Sequence, residues 1–415
     1  MSYSDTELHS LLDKELDRQR TTLSLIASEN IVSETLLNAM GSSVVNKTVE
    51  GFPGQRYHAG CEVADELEEL TISRARELFS AGYANVQPHS GTQANQAALA
   101  ATARRGDRIL SMTLADGGHL SHGARFNLSG VYYEAHHYSV DPATGLIDLD
   151  ALRDLAKATR PAVLIAGASS YPRDIDYASF AAIAREVGAQ LLVDIAHFAG
   201  LVAVGLLNDP VPYADVVTMS TYKGLRGPRG GLIVARDAEL AARLRRGVFP
   251  FSQGTPAMNM IAAKSVCLHE ALQPSFAEYG RRTLKSALRL ADELLRLGVP
   301  LISGGTDTSM LMVDLRGRSV SGDLVTRRLE SIGLLANRNL VPNDPRGPGE
   351  TSGVRLSTAG IMSRGLPIES VDVVAMIVAA ACADQMSESI AKECHDEIRA
   401  LCEAWPLSAR GARTN

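Results

Sequence analysis

VVTMSTYKGLRGPRGG, residues 216–231, begins as a β-branched run and ends as a basic turn rich in glycine. The run is typical of a buried strand, and Lys223 stands where it breaks, after Ser220, Thr221 and Tyr222. A lysine at the end of a buried strand is partly desolvated, which makes its amine a better nucleophile toward a carbonyl. The pattern therefore favours Lys223 as an imine-forming lysine. The alternative is a surface lysine on a glycine loop.

Strands alternate with helices from about residue 80 to residue 235. PAVLIAGASSY at 161–171 and LLVDIAHFAG at 191–200 are typical of buried strands, and FAAIAREVGAQ at 180–190 is typical of the helix between them. This alternation predicts a largely parallel sheet whose sites lie at the carboxyl ends of the strands. Asp194 and Lys223 both fall at such ends, which strengthens the interpretation of Lys223.

Ser90-Gly91-Thr92 follows a short strand and opens an alanine-rich helix. Free backbone N–H groups and the helix dipole favour an anion at such a position, so the triplet is a candidate phosphate site. Plain N-capping is the alternative. His119, in the glycine-flanked loop DGGHLSHG at 116–123, is a candidate for stacking on a flat ring, although a lone loop histidine is more often only solvated.

Three other segments carry candidate site residues. SEN at 28–30 follows an apolar run and forms a polar cluster at a predicted helix start, for which a plain capping cluster is the alternative. The loop at 46–61 combines Glu50 with an Arg-Tyr-His run; such groups on a loop suggest a site, and an ordinary surface loop is the alternative. Arg355, in the strand-like segment GVRLS, suits a bidentate grip on a substrate carboxylate.

A cofactor with an aldehyde, a phosphate and a basic ring nitrogen would use all of these groups. Lys223 would take the aldehyde, residues 90–92 would hold the phosphate, and Asp194 would keep the ring nitrogen protonated. His119 would cover one face of the ring. Pyridoxal phosphate has these features, so we predict a pyridoxal-phosphate enzyme whose substrate is an α-amino acid.

Length and composition set further expectations. A chain of 415 residues suits two or three domains: a helical arm at 1–45, a large α/β domain at 46–275 and a smaller α+β domain at 276–415. Residues 4–20 are predicted to form an amphipathic helix.

The net charge of -6 argues against a nucleic-acid partner. Five cysteines without ligand spacing predict no metal site and a cytoplasmic protein. No signal peptide or membrane span is expected.

The chain resembles the serine hydroxymethyltransferase family over roughly residues 20–405. The resemblance is carried by LIASEN at 25–30, EGFPGQRY at 50–57, NVQPHSGTQAN at 85–95, DGGHLSHG at 116–123, VDIAH at 193–197, KGLRGPRGG at 223–231, SGGTD at 303–307, VPNDP at 341–345 and TSGVR at 351–355. It implies the fold of type I pyridoxal-phosphate enzymes, with a mostly parallel, seven-stranded sheet in the large domain. It also implies a homodimer, or a dimer of dimers, whose active sites are shared between subunits.

The resemblance assigns roles to individual residues. Lys223 is implied to be the Schiff-base lysine, Asp194 the ring-nitrogen partner, His119 the stacking histidine and Glu50 the acid–base carboxylate near the substrate hydroxyl. The other implied cofactor contacts are Ser90, Gly91, Thr92, Ser169, His197, Ser220, Thr255 and, from the neighbouring subunit, Gly254. The implied substrate contacts are Ser28, Thr48, Tyr57, His58, Tyr222 and Arg355.

The site departs from the family pattern near the substrate. Thr48 and His58 stand where the family usually has tyrosines, and Tyr222 stands where it has a histidine. Gly224 and Thr255 replace a threonine and a glycine.

The folate pocket departs as well. Gly349 and Glu350 replace an aromatic and an apolar residue, which leaves tetrahydrofolate doubtful as a second substrate. The positions that remain compatible with a pterin are Leu114, Gly118, Leu120 and Asn339.

From these departures we predict a specialised enzyme. It would keep the carbanion chemistry but act on a bulkier β-substituted amino acid, such as an S-linked cysteine conjugate, as a lyase, decarboxylating or aldolase-type enzyme of antibiotic biosynthesis. The first alternative is serine–glycine interconversion with tetrahydrofolate, in which the departures are neutral drift. The second is a non-catalytic family member, which the retention of Lys223, Asp194 and Arg355 argues against.

Overall fold

The computed structural model describes residues 5–407. The outer ends of the first and last predicted domains, and the first residue of the helix predicted at 4–20, lie outside that range. Within it, no helix has the length and apolar character needed to cross a membrane.

The α-helices are distributed along the whole described chain. They are α1 (Thr6–Thr21), α2 (Glu34–Met40), α3 (Glu62–Leu78), α4 (Gly91–Thr102), α5 (Leu128–Tyr132), α6 (Leu149–Thr159), α7 (Tyr177–Val187), α8 (Ala199–Ala203), α9 (Ala241–Arg246), α10 (Met258–Ala271), α11 (Pro274–Arg296), α12 (Gly322–Ser331), α13 (Ala359–Arg364), α14 (Ser370–Ala381) and α15 (Glu388–Ala404).

The strands are short and lie mostly between helices. They are β1 (Leu23–Ser24), β2 (Gly51–Phe52), β3 (Gln55–Arg56), β4 (Tyr83–Asn85), β5 (Arg108–Met112), β6 (Glu134–Tyr138), β7 (Val163–Ala166), β8 (Gln190–Asp194), β9 (Val216–Ser220), β10 (Gly231–Ala235), β11 (Met310–Asp314), β12 (Leu334–Leu335), β13 (Asn337–Asn339) and β14 (Gly353–Ser357).

A seven-stranded sheet with the order β4-β10-β9-β8-β7-β5-β6 forms the centre of the fold. The pairs from β9 to β6 are parallel, and β10 alone runs antiparallel to its neighbours β9 and β4. The predicted fold class, a mostly parallel sheet of the type I pyridoxal-phosphate enzymes, is confirmed. The carboxyl ends of β8 and β9 therefore lie side by side, which sets the position of the site.

Alternate residues of each central strand face opposite layers of helices, because successive strand side chains point to opposite faces. On β9, Val216 belongs to the apolar cluster that contains Ala94, Ala97 and Ala98 of α4, whereas Val217 faces the larger cluster that contains Phe180 of α7. The small side chains of α4 allow its backbone to lie close to the sheet. That contact brings residues 90–92 near the ends of the strands.

A second, antiparallel sheet has the order β11-β14-β13 and places Arg355 in its central strand. The long helix α11 begins with Pro274 at its first turn and ends just before Gly298, whose φ is 74°; both features are typical of these positions. The N-terminal segment joins this part of the chain, because Leu23 in β1 pairs with Leu334 in β12. The division of the chain at residues 45 and 275 stays a prediction.

The helix α1 has no buried residue in this chain. Leu8, Leu11 and Leu12, which the sequence places on one apolar face, are 50 to 58% exposed. The amphipathic pattern thus predicts the helix, but the described chain does not cover its apolar face.

Arg56 anchors the hairpin that carries Glu50. Its guanidinium donates to Val49 O and Gly51 O at 2.8 Å each, and it pairs with Glu68 at 2.6 Å and Asp65 at 2.7 Å. The side chains of Arg56 and Glu68 are 4% and 1% exposed. Burial raises the pKa of Glu68, while the hydrogen bond and charge of Arg56 act to lower it. The pair therefore fixes the hairpin from within the fold.

Arg56→Met should lower the free energy of unfolding by about 3–5 kcal/mol, because it leaves the Glu68 carboxylate buried without its partner. Urea unfolding followed by circular dichroism measures the change. Arg399→Met is the control, since the Arg399–Glu403 pair is exposed on α15 and such pairs contribute little. Equal losses in the two variants would refute the anchoring role.

Candidate functional site

Lys223 and Asp194 meet at the carboxyl edge of the central sheet. Strand β8 ends at Asp194, which pairs with Thr218 on the neighbouring parallel strand β9, and Lys223 follows β9 by three residues. Lys223 is 6% exposed, and its Nζ lies 2.8 Å from Nε2 of His197. The structure therefore brings Lys223, Asp194 and His197 into one buried cluster.

Burial lowers the pKa of Lys223 from 10.5 to about 8. Within that net shift the charge of Asp194 opposes the effect of burial, and the positive charges of Arg355 and Arg229 add to it. A substantial fraction of the amine is thus neutral near pH 8. A neutral, desolvated amine is the form that attacks a carbonyl.

The Asp194 carboxylate is buried and held by three donors. Oδ1 accepts from the backbone N–H of Ala196 at 2.9 Å, and Oδ2 accepts from Nδ2 of Asn95 at 2.7 Å. Nε2 of His122 lies 2.9 Å from Oδ2. Burial alone would raise the pKa of Asp194, but the hydrogen bond and charge of His122, followed by His119 and Asn95, hold it below the ordinary value. The carboxylate is therefore ionised.

Sequence reasoning missed His122 and Asn95. Both lie in motifs quoted above, and His122 is three residues after His119, so the repeated histidine in DGGHLSHG was the available signal. Oδ1 of Asn95 accepts a bond of 2.5 Å from Thr218 on β9. Asn95 thereby links α4, β8 and β9 around the carboxylate.

His119, His122 and Asp194 place one ligand atom each within 4.8 Å of one another. Oδ2 of Asp194, however, already interacts with Asn95 and His122. Hydrogen bonding within the site therefore accounts for the cluster, and we assign no metal to it.

His119 lies beside Asp194 as a half-buried ring. Its Nδ1 lies 2.7 Å from Oγ of Ser121, and its ring centroid lies 5.5 Å from that of His122. Burial lowers its pKa to about 4, with a further contribution from the charge of His122. An uncharged flat ring at this position suits stacking against another ring.

Residues 90–92 form the start of α4. Oγ of Ser90 accepts from the backbone N–H of Gln93 at 3.1 Å, so Ser90 is the N-cap that the alternative interpretation expected. The backbone N–H groups of Gly91 and Thr92 lie in the first turn, where such groups lack helical acceptors. A Cβ at Gly91 would lie 3.4 Å from Cβ of Ser220. The anion-binding end of α4 thus contacts the end of the strand that leads to Lys223.

Arg355 is a buried cation next to this cluster. It is 8% exposed, and it donates to Ser169 O at 2.7 Å, to Ser169 Oγ at 3.1 Å and to Asn337 Oδ1 at 3.1 Å. Burial lowers its pKa to about 10. Among residues 5–407, no carboxylate forms a salt bridge with it, so its charge is available for an anionic ligand.

Ser28 and Tyr222 line a cavity of 390 Å³ on one side of the Lys223 loop. Arg229 also lines it, and its guanidinium carbon lies 4.2 Å from the centre of the Tyr222 ring. Nδ2 of Asn30 donates to the backbone oxygen of Lys223 at 2.9 Å. The segment at 28–30 therefore supports the loop that carries Lys223.

The remaining predicted residues form a second group on the hairpin β2–β3 and the loop before α10. Thr48, Tyr57, His58 and Gly254 are exposed, and Glu50 is half-buried. Oε1 of Glu50 would lie 3.5 Å from a Cβ at Gly254, and Thr255 follows, half-buried. Within the described chain, no hydrogen bond or ion pair joins the Glu50, Tyr57 or His58 side chain to Lys223, His197 or Arg355. The structure thus builds two separate groups, which are the Lys223 group at the edge of the sheet (Lys223, Asp194, His197, His119, Arg355 and residues 90–92) and the Glu50 group (Glu50, Thr48, Tyr57, His58, Gly254 and Thr255).

The candidate pterin residues lie beside the turn that holds Arg355. Leu114 and Leu120 are 39% and 43% exposed, and Nδ2 of Asn339 donates to Oγ of Ser170 at 3.1 Å. A Cβ at Gly118 would lie 2.2 Å from Met112 O, so only glycine fits there. Gly349 and Glu350, the altered positions, are exposed.

The Lys223 group fits pyridoxal phosphate. Asp194 is ionised and uses three of the roughly four acceptor positions of a carboxylate, which leaves one for a protonated ring nitrogen. A buried amine, a neutral flat ring and a helix N-terminus match the aldehyde, the ring and the phosphate.

The serine hydroxymethyltransferase family model matches residues 1–378 of this chain. The serine hydroxymethyltransferase of Prochlorococcus marinus (strain MIT 9515) is 46% identical over 404 residues, which cover 97% of this chain and 96% of the relative. That of Synechococcus sp. (strain JA-3-3Ab) is 46% identical over 419 residues, which cover 98% of this chain and 96% of the relative.

These matches overturn the prediction of a specialised lyase or decarboxylating enzyme of antibiotic biosynthesis, because relatives alike over nearly the whole chain are named serine hydroxymethyltransferase. That prediction treated Thr48, His58 and Tyr222 as a rebuilt reacting centre. Thr48 and His58 belong to the exposed second group, and Tyr222 packs under Arg229; the 46% identity to the two relatives shows that these departures do not mark a different enzyme class. Enzymes of the matched family use pyridoxal phosphate, with tetrahydrofolate as a substrate, so the predicted cofactor is confirmed. The chain belongs to the serine hydroxymethyltransferase family.

Proposed function

We propose that this chain interconverts serine and glycine, passing the hydroxymethyl carbon of serine to tetrahydrofolate. The observation that carries the proposal is the buried, unneutralised Arg355 next to Lys223 and Asp194. This arrangement binds the carboxylate of an amino acid beside a nucleophilic amine. The 46% identity to serine hydroxymethyltransferases over nearly the full chain supports serine as that amino acid.

The residues of the Lys223 group would hold pyridoxal phosphate at its three ends. Lys223 would engage the aldehyde, Asp194 the ring nitrogen and the first turn of α4 the phosphate, with His119 against the ring. When bound, the cofactor supplies an electron sink for negative charge at the substrate α-carbon. The ionised Asp194 sustains that property by keeping the ring nitrogen protonated.

Arg355 would orient the substrate. A guanidinium binds a carboxylate through two parallel hydrogen bonds, which fixes the rotation of the amino acid about its α-carbon. By fixing that rotation, Arg355 would decide which bond of the α-carbon is presented for cleavage, so orientation would select the reaction. Ser169 and Asn337 hold the guanidinium in place through the three bonds described above.

Glu50 would move a proton at the hydroxyl of serine. It lies in the second group, which the described chain does not link to Lys223. We infer that a second copy of the chain supplies this group, so that Glu50 and Gly254 of one subunit complete the site of the other. A symmetric homodimer permits this exchange in both directions.

The proposed pterin site lies at the exposed leucines. Leu114 and Leu120 offer apolar surface to a flat ring, and Asn339 offers a polar side chain beside Ser170. The altered residues Gly349 and Glu350 are exposed rather than packed into the Lys223 group, so they leave this surface open.

With serine and tetrahydrofolate, the purified protein should form glycine, and Arg355→Lys should raise the KM for serine about 10- to 100-fold, as expected for a lost charged hydrogen bond. Product chromatography and initial rates measure both effects. Arg364→Lys is the control, because Arg364 is also buried but donates to the backbone oxygens of other segments. No glycine from serine would end the proposal, and an unchanged KM would remove Arg355 from it.

Lys223→Ala and Glu50→Gln should each be inactive alone, yet a mixture refolded or expressed together should recover activity. Random pairing makes half of the dimers mixed, and each mixed dimer keeps one intact site, so about a quarter of the wild-type rate is expected. The assay is glycine formation, with each variant mixed with itself as the control. No recovery in mixed dimers would show that each chain builds its own site.

Lys223 of the apoprotein should capture pyridoxal phosphate faster as the pH rises, with a midpoint near 8. The amine is protonated and unreactive below its folded pKa of about 8, and neutral above it. Stopped-flow absorbance measures the rate. Parallel reactions with N-acetyl-lysine, whose amine has an ordinary pKa near 10.5, correct for titration of the aldehyde compound itself. A midpoint near the ordinary value would contradict a desolvated amine.

A further inference from the structure

Lys264 is a buried lysine that no step above uses. It lies on α10 and is 2% exposed. Its Nζ donates to Val86 O at 2.6 Å, to Pro88 O at 2.9 Å and to Gly231 O at 2.9 Å. Burial lowers the pKa of Lys264 to about 7, but the three carbonyl acceptors match the three protons of an ammonium group and favour that charged form.

The three carbonyls belong to the two segments that frame the cofactor site. Val86 and Pro88 lead into Ser90-Gly91-Thr92, and Gly231 ends the glycine-rich turn that begins at Lys223. The segments also touch directly, because Gly231 N donates to Pro88 O at 2.9 Å and a Cβ at Gly231 would lie 2.2 Å from Ser90 O. The ammonium therefore fixes the distance between the phosphate turn and the Lys223 turn.

Burying the Lys264 ammonium is unfavourable in free energy, so a role limited to filling space in the core does not explain it. Among residues 5–407, no carboxylate forms an ion pair with Lys264, and a buried charge is unfavourable unless its protons are well bonded. A Cβ at Gly230 would lie 2.4 Å from Cε of Lys264, so the chain leaves that position without a side chain. The charge also reaches the turn itself, since burial and then Lys264 lower the pKa of His89.

We propose that Lys264 is a positioning residue for the phosphate of the cofactor. Its ammonium holds residues 86–88 against Gly231, so that the N–H groups of Gly91 and Thr92 converge on one anion next to Lys223. The inference rests on the proposed function, because it concerns the same site. It adds a residue that touches neither cofactor nor substrate.

Lys264→Met tests the assignment, since methionine has a similar shape but no donor. Dissociation constants of the apoprotein are measured by absorbance for pyridoxal phosphate and for pyridoxal, which lacks the phosphate. We expect the variant to bind pyridoxal phosphate about 10- to 100-fold more weakly, the range for lost charged hydrogen bonds, and to bind pyridoxal nearly as before. The preference for the phosphate should thus fall by the same factor.

Arg74→Met is the matched control. Arg74 donates to Ser265 O at 2.9 Å and to Ser265 Oγ at 2.8 Å, one residue from Lys264 on the same helix. It ties α3 to α10 without touching the phosphate turn. The control should lower the melting temperature and leave the preference for the phosphate unchanged.

The outcomes separate this inference from the proposed function. A wild-type protein that binds neither compound refutes the proposed function, whereas a wild-type preference that Lys264→Met leaves intact refutes only the positioning role. A similar loss of preference in Arg74→Met also refutes it. If Lys264→Met does not fold, the same two dissociation constants are measured for Lys264→Gln, which keeps a donor, and its preference for the phosphate is judged in the same way. Failure of both to fold would assign Lys264 to the fold as a whole and overturn the inference.

Discussion

The site depends on one negative charge that is held away from water. Asp194 ends a central strand, and its carboxylate stays ionised because Asn95, His122 and the Ala196 N–H donate or approach from three segments. Asn95 lies on α4 and Ala196 follows β8, so the carboxylate connects the helix, the loop of His122 and the central sheet. A neighbouring amine with a lowered pKa and a neutral histidine ring complete a largely buried, polar environment. Such preorganised groups act strongly because little solvent screens them.

The predicted site residues lie on two separate surfaces of the described chain. The Lys223 group is buried at the edge of the central sheet, whereas the Glu50 group lies on a hairpin that Arg56 fixes from beneath. The first group holds the residues proposed to bind the aldehyde, the ring and the phosphate of the cofactor, whereas most side chains of the second group are exposed. In the proposed homodimer, Arg56 would hold the hairpin in the conformation that brings Glu50 to the site of the other subunit.

Strand alternation was sufficient to predict the sheet and to place Asp194 and Lys223 together, because parallel strands end at a common edge. It was not sufficient to find His122, Asn95 or Lys264, whose importance arises from distances between segments far apart in sequence. The specialised substrate was wrongly predicted from Thr48, His58 and Tyr222. Residue types alone showed that these positions differ from the family pattern, but a difference in residue type does not by itself indicate a different substrate. The assignment of individual site residues stays a prediction.

The pairing of Leu23 with Leu334 has a consequence for the synthesis of the protein. The strand beside Ser28 and Asn30 finds its partner about 300 residues later, and contacts of such long range form slowly. When the ribosome has made all strands of the central sheet, it has not yet made β12, the strand that pairs with β1. Leu23 therefore lacks its partner strand through most of translation. Apolar surface that is exposed during this time favours aggregation. Chaperone binding near the N-terminus would have its greatest value during that interval.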